Sequence, residues 1–395
     1  MRRWRGHVRC SVAPMKAVIS GAGVAGLTLA AQLGNGGWDV IVVERDPAPS
    51  RSNYLVDLEG QGLVAAGRLG LMTRLLELGE RVSRVCWVND KGGQIAELDL
   101  TENARAHHQG IKILRGDLER ALLESLPQSV EVRFGFDVSQ IRTPADGVDI
   151  TLRPGGLLKA DVLIGADGIH SHIRDLVFGD GGLWSRTLGY DTAAFAFENE
   201  RLQSLLAGRL NVLCAPGRNI VLCPMRTGRI AVVFIHRSAG PVPPTNPAAY
   251  LGEIYGGLKW CVPTLLRAAS IAEDLRYEPA TQIKLPAWHR GRIGLLGDAC
   301  HAYSLLPGQG ASVAMAAAFW LGTEMLRAPS VDMALAWYQD RLSSDIAARR
   351  ASARRAAHWL VPTTRRDLVM RNGLLRLASV PGVARLLRPV MSGIA

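Results

Sequence analysis

Residues 16–26 read KAVISGAGVAG, and residues 38–45 read WDVIVVER. The first stretch is a short apolar run, Lys16–Ser20, that stops at a glycine cluster and is followed by a helix-forming segment over 24–33. The second is another apolar run, Trp38–Val43, ending in Glu44-Arg45. Short apolar runs flanking a helical segment predict a βαβ unit. Within it Gly21, Gly23 and Gly26 have the G-x-G-x-x-G spacing, and Glu44 lies eighteen residues past Gly26. That context is what a dinucleotide-binding turn requires. Gly21 permits the tight turn, Gly23 lets the backbone approach a pyrophosphate, and Gly26 lets the helix pack closely on its strand. The helix start at Val24 and Ala25 offers unpaired N–H groups and partial positive charge to phosphates. Glu44 can accept hydrogen bonds from both ribose hydroxyls of an adenosine, with Arg45 beside it. The fingerprint is compatible with NAD or FAD and does not separate them.

Outward from this unit, 57–78 carries helical apolar spacing broken by glycines, predicting two short helices. Strands with a turn at Lys91-Gly92-Gly93 are expected over 82–98, and a helix over 116–125 with Asp117 and Glu119 in its first turn, where the helix dipole favours acids. Strands at 130–134, 147–152 and 161–164 are expected to lead back to the parallel sheet. From 188 to 285 the pattern changes to alternating runs at 193–197, 211–214, 220–223 and 230–235, with a tight turn at Arg226-Thr227-Gly228 and a helix over 248–269. This reads as an antiparallel substrate-binding block. The α/β pattern returns at 292–296. The last third is helical: Ser330 is a plausible N-cap, Leu335, Leu342, Ile346, Ala353, Ala357 and Leu360 form one face, Pro362 ends the helix, and a shorter one follows before Pro381.

Two further segments carry the chemistry. Residues 164–175 read IGADGIHSHIRD, and residues 294–313 read GLLGDACHAYSLLPGQGASV. With the N-terminal fingerprint they resemble the three signature segments of the group A flavoprotein monooxygenases, the aromatic-ring hydroxylase family of para-hydroxybenzoate hydroxylase. Arg115-Gly116-Asp117-Leu118 is similar to its R-x-D-L segment, and Trp288 with Gly291-Arg292 to the lead-in to its Gly-Asp strand. The resemblance covers roughly 15–345. It implies an α/β fold, in which a Rossmann-like FAD-binding domain of the GR2 type (15–80, 107–180 and 281–330) is interleaved with an antiparallel-sheet substrate domain (81–106 and 181–280). A C-terminal helical segment, 331–395, follows, and 1–14 reads as a disordered extension, with Met15 as an alternative start.

The resemblance also implies roles. Asp298 would hydrogen-bond a ribityl hydroxyl of noncovalent FAD. Asp167 and Gly168 would lie near the pyrophosphate and assist transient NAD(P)H docking, and Arg115 would lie beside the flavin. Pro307, Gly308, Gln309, Gly310 and Ala311 form a turn leading into a helix over 311–321. Its N-terminus would stabilise the anionic reduced flavin at the N1–C2=O edge. Family members place a proline where Ser304 or Leu305 stands here, so the loop path above the flavin departs from the pattern. The Ser-Leu-Leu-x-Gly-Gln-Gly-Ala-Ser form is similar to a branch that includes tetracycline-inactivating and polyketide-tailoring enzymes. His170, His172 and His301 lie in or beside these segments without the clustered spacing of metal ligands and read as structural. Cys300 reads as a packed small residue.

The implied reaction inserts one oxygen atom from O2 into an aromatic or polycyclic small molecule, with NAD(P)H as reductant and a flavin C4a-hydroperoxide as the oxygen donor. Alternatives on the same fold are a reductase or dehydrogenase and a Baeyer–Villiger oxygenation. A non-catalytic FAD-binding module engaging a partner is a further one. Composition bounds the rest. With 395 residues, 48% hydrophobic and 21% charged, the chain is an ordinary globular one. It has no apolar run long enough for a membrane span. The six cysteines form no CxxC pair, which favours reduced, buried thiols and a cytoplasmic location. The net charge is +11, and 341–388 holds eleven arginines against Asp345 and Asp367. Such a run is ordinarily a solvated helix face, and the aromatic interleaving of single-strand nucleic-acid binders is missing. A monomer or homodimer acting on a small molecule is expected.

Overall fold

The computed structural model describes residues 14–100, 110–179, 181–240, 243–303 and 309–379. A six-stranded sheet runs in the order His289–Arg290, Ile293–Leu295, Val162–Gly165, Lys16–Ser20, Asp39–Glu44, Val130–Phe134. All neighbours are parallel except the two-residue edge strand His289–Arg290. Val18 sits at the centre, opposite Ile41 on one side and Leu163 on the other. These strands read as unbroken apolar runs because helices cover a parallel sheet and leave little of it in water. Helix Val24–Asn35 and helix Gln309–Met325 pack on each other beside it.

The second large sheet has seven strands, in the order Arg276–Ile283, Ser185–Glu198, Arg229–Arg237, Arg218–Pro224, Leu210–Ala215, Arg84–Val88, Gln94–Asp99. Alternation sorts its two faces. Ala193, Phe195, Val232 and Phe234 point to a buried cluster under helices Glu200–Leu206, Pro247–Tyr255 and Val262–Ile271. Tyr190, Ala194, Ala231 and Val233 belong to a different cluster, toward the glycine loop and helix Val331–Leu360. The parallel-sheet core, with Ile19, Leu29, Leu163 and Leu295, forms the third.

Several expectations need correction. The helix foreseen over 248–269 is two helices, because Gly256-Gly257 interrupt the run and Trp260 takes a positive φ of 53° before Pro263 opens the second. Val148–Arg153 does not join the parallel sheet. It is the middle of an antiparallel meander with Asp137–Arg142 and Leu157–Ala160, whose polar outer faces hid the outer two strands from a search for apolar runs. Asp57 and Leu58 belong to strand Leu55–Leu58, paired with Ile111–Leu114, and the two short helices are Gly60–Arg68 and Met72–Leu78. Helix Glu200–Leu206 was not foreseen. The C-terminal reading fits more closely: the Ser330 hydroxyl accepts from the Met333 N–H at 3.3 Å, and helices Val331–Leu360 and Arg365–Ala378 flank Pro362. Among the described residues no helix is long and apolar enough to cross a membrane. The expectation for 1–14 falls almost wholly outside the described residues.

Helix Val331–Leu360 spans both sheets. At its start Leu335 packs against Gly294 of the parallel sheet. At its end the Leu360 carbonyl accepts from the Asn219 amide and from Arg371, while the Gly217 N–H donates to the Pro362 carbonyl at 2.7 Å.

Candidate flavin site

Two contiguous clefts, of about 1050 and 1230 Å³, lie where the glycine loop faces the seven-stranded sheet. They share Gly23, Tyr54, Arg115, Gly168, Arg276 and Asp298, so they form one elongated channel. Gly21, Glu44, Arg45 and Asp167 line one end. Val24, Ala25, Gly310 and Ala311 line the other. Three segments more than a hundred residues apart in sequence thus meet along one channel. Pro307 and Gly308 lie outside the described residues. Gln309 opens helix Gln309–Met325, two residues earlier than expected, so Gln309 and Gly310 belong to the helix's first turn rather than to a turn before it.

The glycines do what their spacing demands. Gly21 has φ +110°, and a Cβ there would come within 2.5 Å of the Ala166 carbonyl oxygen. A Cβ on Gly26 would fall 2.0 Å from the Gly21 oxygen, so Gly26 sets the approach of helix to strand rather than lining the channel. Gly23 is the N-cap of helix Val24–Asn35 and has no side-chain cap, which leaves the first-turn N–H groups facing the channel. A Cβ on Gly23 would lie 3.1 Å from the Arg115 guanidinium, so that cation stands directly over the loop. Glu44 ends its strand with one oxygen accepting from the Ala22 N–H at 2.8 Å and the other from the Asp46 N–H at 3.0 Å.

Arg115 opens helix Arg115–Glu124, one residue earlier than expected. Its Nε donates to Glu119 at 2.7 Å, and its Nη1 to the Tyr54 hydroxyl. Burial works against its charge, but Glu119 and Tyr54 outweigh that and hold its pKa well above the ordinary arginine value. Glu119 therefore serves Arg115 rather than the helix dipole, and its second oxygen is buried without a partner among the described residues. The Tyr54 ring lies between two guanidiniums, Arg115 and Arg276, each 5.4 Å from the ring centre. Burial raises the Tyr54 pKa against the pull of both cations, so its hydroxyl stays protonated. Arg276 is in turn held by Glu278 at 2.6 Å.

Asp298 begins the short helix Asp298–His301 and faces both clefts. Burial raises the pKa of its carboxyl. A Cβ on Gly310 would sit 3.3 Å from an Asp298 oxygen, which places the start of helix Gln309–Met325 against that carboxyl. Asp167 is different. Its oxygens accept from the Ser171 hydroxyl at 2.5 Å and the Ile173 N–H at 3.0 Å, so its side chain shapes the Gly168 turn and the start of helix His172–Phe178. Arg174, 3% exposed, ties that turn to the Gly-Asp segment by donating to the Ile169 and Ala299 carbonyls, both at 3.0 Å.

His301 is buried and its Nε2 accepts from the Gly297 N–H at 3.2 Å; burial, with Arg350 nearby, lowers its pKa to about 3. Cys300 is buried as well, and burial pushes its thiol up, which keeps it from acting as a thiolate. Among the described residues no group of histidine, cysteine and carboxylate side chains has the arrangement of a metal site.

Sequence reading missed Tyr54, Arg276, Glu278, Thr192 and Arg174. The i, i+4 spacing of Arg115 and Glu119 was a usable signal. Tyr54, Thr192, Arg276 and Glu278 lie on or beside strands without a local pattern, and only strand pairing brings them to the channel. Arg174 sits in helix His172–Phe178 behind it, where nothing in the spacing marks its two carbonyl partners.

The residues suit FAD. A long channel begins at a carboxylate able to hold ribose and passes capless helix N–H groups under a guanidinium, a match for a pyrophosphate. It continues past a buried carboxyl to a second helix start, with small residues where a ring would lie. The chain belongs to the FAD binding domain family, which matches residues 14–341, and it is an FAD-dependent enzyme of the flavoprotein monooxygenase type. It is 26% identical over 320 residues to a flavin-dependent monooxygenase of an unknown prokaryotic organism, covering 80% of this chain and 81% of that one. Its fold is similar to that of Klebsiella pneumoniae HpxO complexed with FAD and uric acid, with a TM-score of 0.80, 24% identity and coverage of 96% of both chains. It is likewise similar to the tetracycline destructase Tet(51), with a TM-score of 0.75, 23% identity and coverage of 92% and 96%.

Proposed function

We propose that the protein is an NAD(P)H-consuming monooxygenase that inserts one atom of O2 into an aromatic or polycyclic small molecule. The observation that carries this reading is the lining of the end of the channel where the second helix starts. It is lined by Gly310 and Ala311, by Val56, and by Thr192, Ala194 and Ala280 of the seven-stranded sheet. A site between a helix start and a sheet face that presents Ala194, Pro279 and Ala280 among Thr192, Thr281, Arg276 and Glu278 suits a flat, partly polar ligand stacked beside a flavin ring. Tetracycline destructase, a structural neighbour by name, acts on a polycyclic molecule of that kind.

FAD supplies the hydride-accepting and oxygen-activating chemistry when bound. The chain's part is to bind, orient and exclude water. Glu44 and Arg45 hold the adenosine end, and Gly21, Gly23, Val24 and Ala25 leave room and N–H groups for the pyrophosphate. Arg115, fixed by Glu119 and Tyr54, balances the phosphate charge. Asp298 accepts from the ribityl chain, and the N–H groups of Gly310 and Ala311 favour negative charge on the ring. Gly168, on the turn shaped by Asp167, leaves backbone space for a reductant to dock. Val56, Ala194 and Ala280 keep the reacting end dry. We place this enzyme in the cytoplasm, as a monomer or homodimer.

The test is an absorbance spectrum of the purified protein before and after heat release of chromophore, followed by NADH and NADPH consumption with and without O2. Released FAD, oxygen-dependent turnover and an oxygenated product support the reading. Turnover that continues anaerobically assigns a reductase, and a colourless protein that takes up no added FAD refutes the proposal.

A further inference from the structure

A groove of about 660 Å³ lies between strand Ser185–Glu198 and helix Val331–Leu360, lined by Arg186, Thr187, Tyr190, Arg237, Arg354 and Ala357. Three of those six side chains are guanidiniums, and none has an ion pair among the described residues. Three like charges around one groove repel one another, and an anion seated there relieves that repulsion. The guanidinium fork also matches a carboxylate in two-bond geometry.

The groove neighbours the Gly310 end of the channel along strand Ser185–Glu198. Thr187, in the groove, pairs across the sheet with Thr281, which lines the channel. Tyr190 precedes Thr192 and Ala194 on the same face of its strand, and those two residues line the channel. Tyr190 itself pairs with Arg237. From Tyr190 to Ala194 the strand rises roughly 13 Å. The register irregularity between Thr187 and Asp191 opens the strand where the groove lies.

We propose that this groove seats a carboxylate at one end of an elongated substrate whose rings lie in the channel beside the flavin. The assignment rests on reading the Gly310 end of the channel as the oxygenation chamber. A substrate anion fits better than a nucleotide phosphate because the groove lies on the strand that carries Thr192 and Ala194 to the channel, at the end without Glu44.

The experiment measures binding of anthraquinone-2-carboxylate and its uncharged carboxamide to the FAD-loaded protein by flavin fluorescence, in low and high salt. It uses the wild type, Arg237→Gln, Arg354→Gln and the double variant, with flavin spectrum and Tm as folding controls. The carboxylate is expected to bind at least tenfold tighter than the amide in low salt. Each substitution should cut that preference at least fivefold, the double variant should abolish it, and NADPH affinity should stay unchanged. Equal binding of the two probes, no binding of the carboxylate, or a preference that survives the double variant overturns the proposal. An NADPH affinity that falls in step assigns the groove to the nucleotide and overturns it as well. Loss of oxygen-dependent turnover with an intact carboxylate preference would fault the monooxygenase reading alone.

Discussion

Glu44 and Ala22 are joined by a hydrogen bond of 2.8 Å, from the backbone N–H of the glycine loop to the carboxylate that ends the second strand. The loop and the acid proposed to hold the ribose are therefore one unit, and the loop's shape depends on a side chain twenty-two positions away. Glu44→Ala removes both the acceptor for Ala22 and the carboxylate proposed to hold the ribose. A charge-assisted hydrogen bond contributes about 1.5–3 kcal/mol, so FAD affinity should fall at least tenfold. Titration of the apoprotein with FAD, followed by flavin fluorescence, measures this, and unchanged affinity would contradict the assignment of Glu44.

Gly26 and Gly252 make a matched pair. A Cβ on Gly26 meets the Gly21 oxygen at 2.0 Å, whereas one on Gly252, in helix Pro247–Tyr255, meets nothing within 4 Å. Gly26→Ala should destabilise by about 1–3 kcal/mol through overpacking and weaken FAD retention. Gly252→Ala should stabilise by about 0.5–1 kcal/mol through helix propensity. Urea unfolding of both variants reads the opposite signs directly.

Arg174 satisfies two carbonyls from two different segments. In Arg174→Met both the Ile169 and Ala299 carbonyls lose their donor in a buried place, at about 1–3 kcal/mol each. The variant should lose several degrees of Tm and release FAD on gel filtration, although no side-chain atom of Arg174 lines the channel. Retention of both stability and flavin would show that the clamp is incidental.

Two buried histidines set an acid limb of stability. Burial lowers His301 to about 3 and His236 to about 4, against 6.5 when unfolded. Between those values and pH 6.5 the unfolded chain binds more protons, so these groups' contribution is fully present above pH 6.5 and is lost as pH falls. At pH 5 each histidine removes about 2 kcal/mol relative to neutral pH. The buried carboxyls of Asp167 and Asp298, raised by burial, act in the opposite sense over the carboxylate range. Unfolding free energy measured at pH 7 and pH 5 should fall less in His301→Gln, which keeps an acceptor for Gly297. An identical fall in both proteins would exclude His301 as a cause.

The sequence revealed the nucleotide half of this molecule more readily than the sheet half. Gly21, Gly26, Glu44 and Asp298 are constrained by short-range geometry, a tight turn or a strand end, and such constraints leave a local pattern. Arg276 and Glu278 reach the channel only because their strand pairs with Ser185–Glu198, some eighty residues earlier. No spacing encodes that. The meander strands Asp137–Arg142 and Leu157–Ala160 were missed for a different reason: the first buries only Val138 and the second only Leu158 and Ala160, too few to stand out as apolar runs. The split of the 248–269 helix was visible in Gly256-Gly257, and apolar periodicity on both sides masked it.

Helix Val331–Leu360 holds 30 residues, a rod of roughly 45 Å. It touches the parallel sheet at Leu335 and the antiparallel sheet at Leu360, with Arg350 reaching the Cys300 carbonyl in between. Its length is consequently a gauge, and evolution can change it only in particular steps. One inserted residue at mid-helix turns every later side chain by about 100° and advances it about 1.5 Å, carrying Arg350 off Cys300 and Arg354 out of its groove together. Four inserted residues nearly restore the facing but displace Leu360 from Asn219 by about 6 Å. A substitution on the outer face leaves this gauge unchanged, whereas an insertion or deletion preserves it only in the turns before Ser330 and after Leu360.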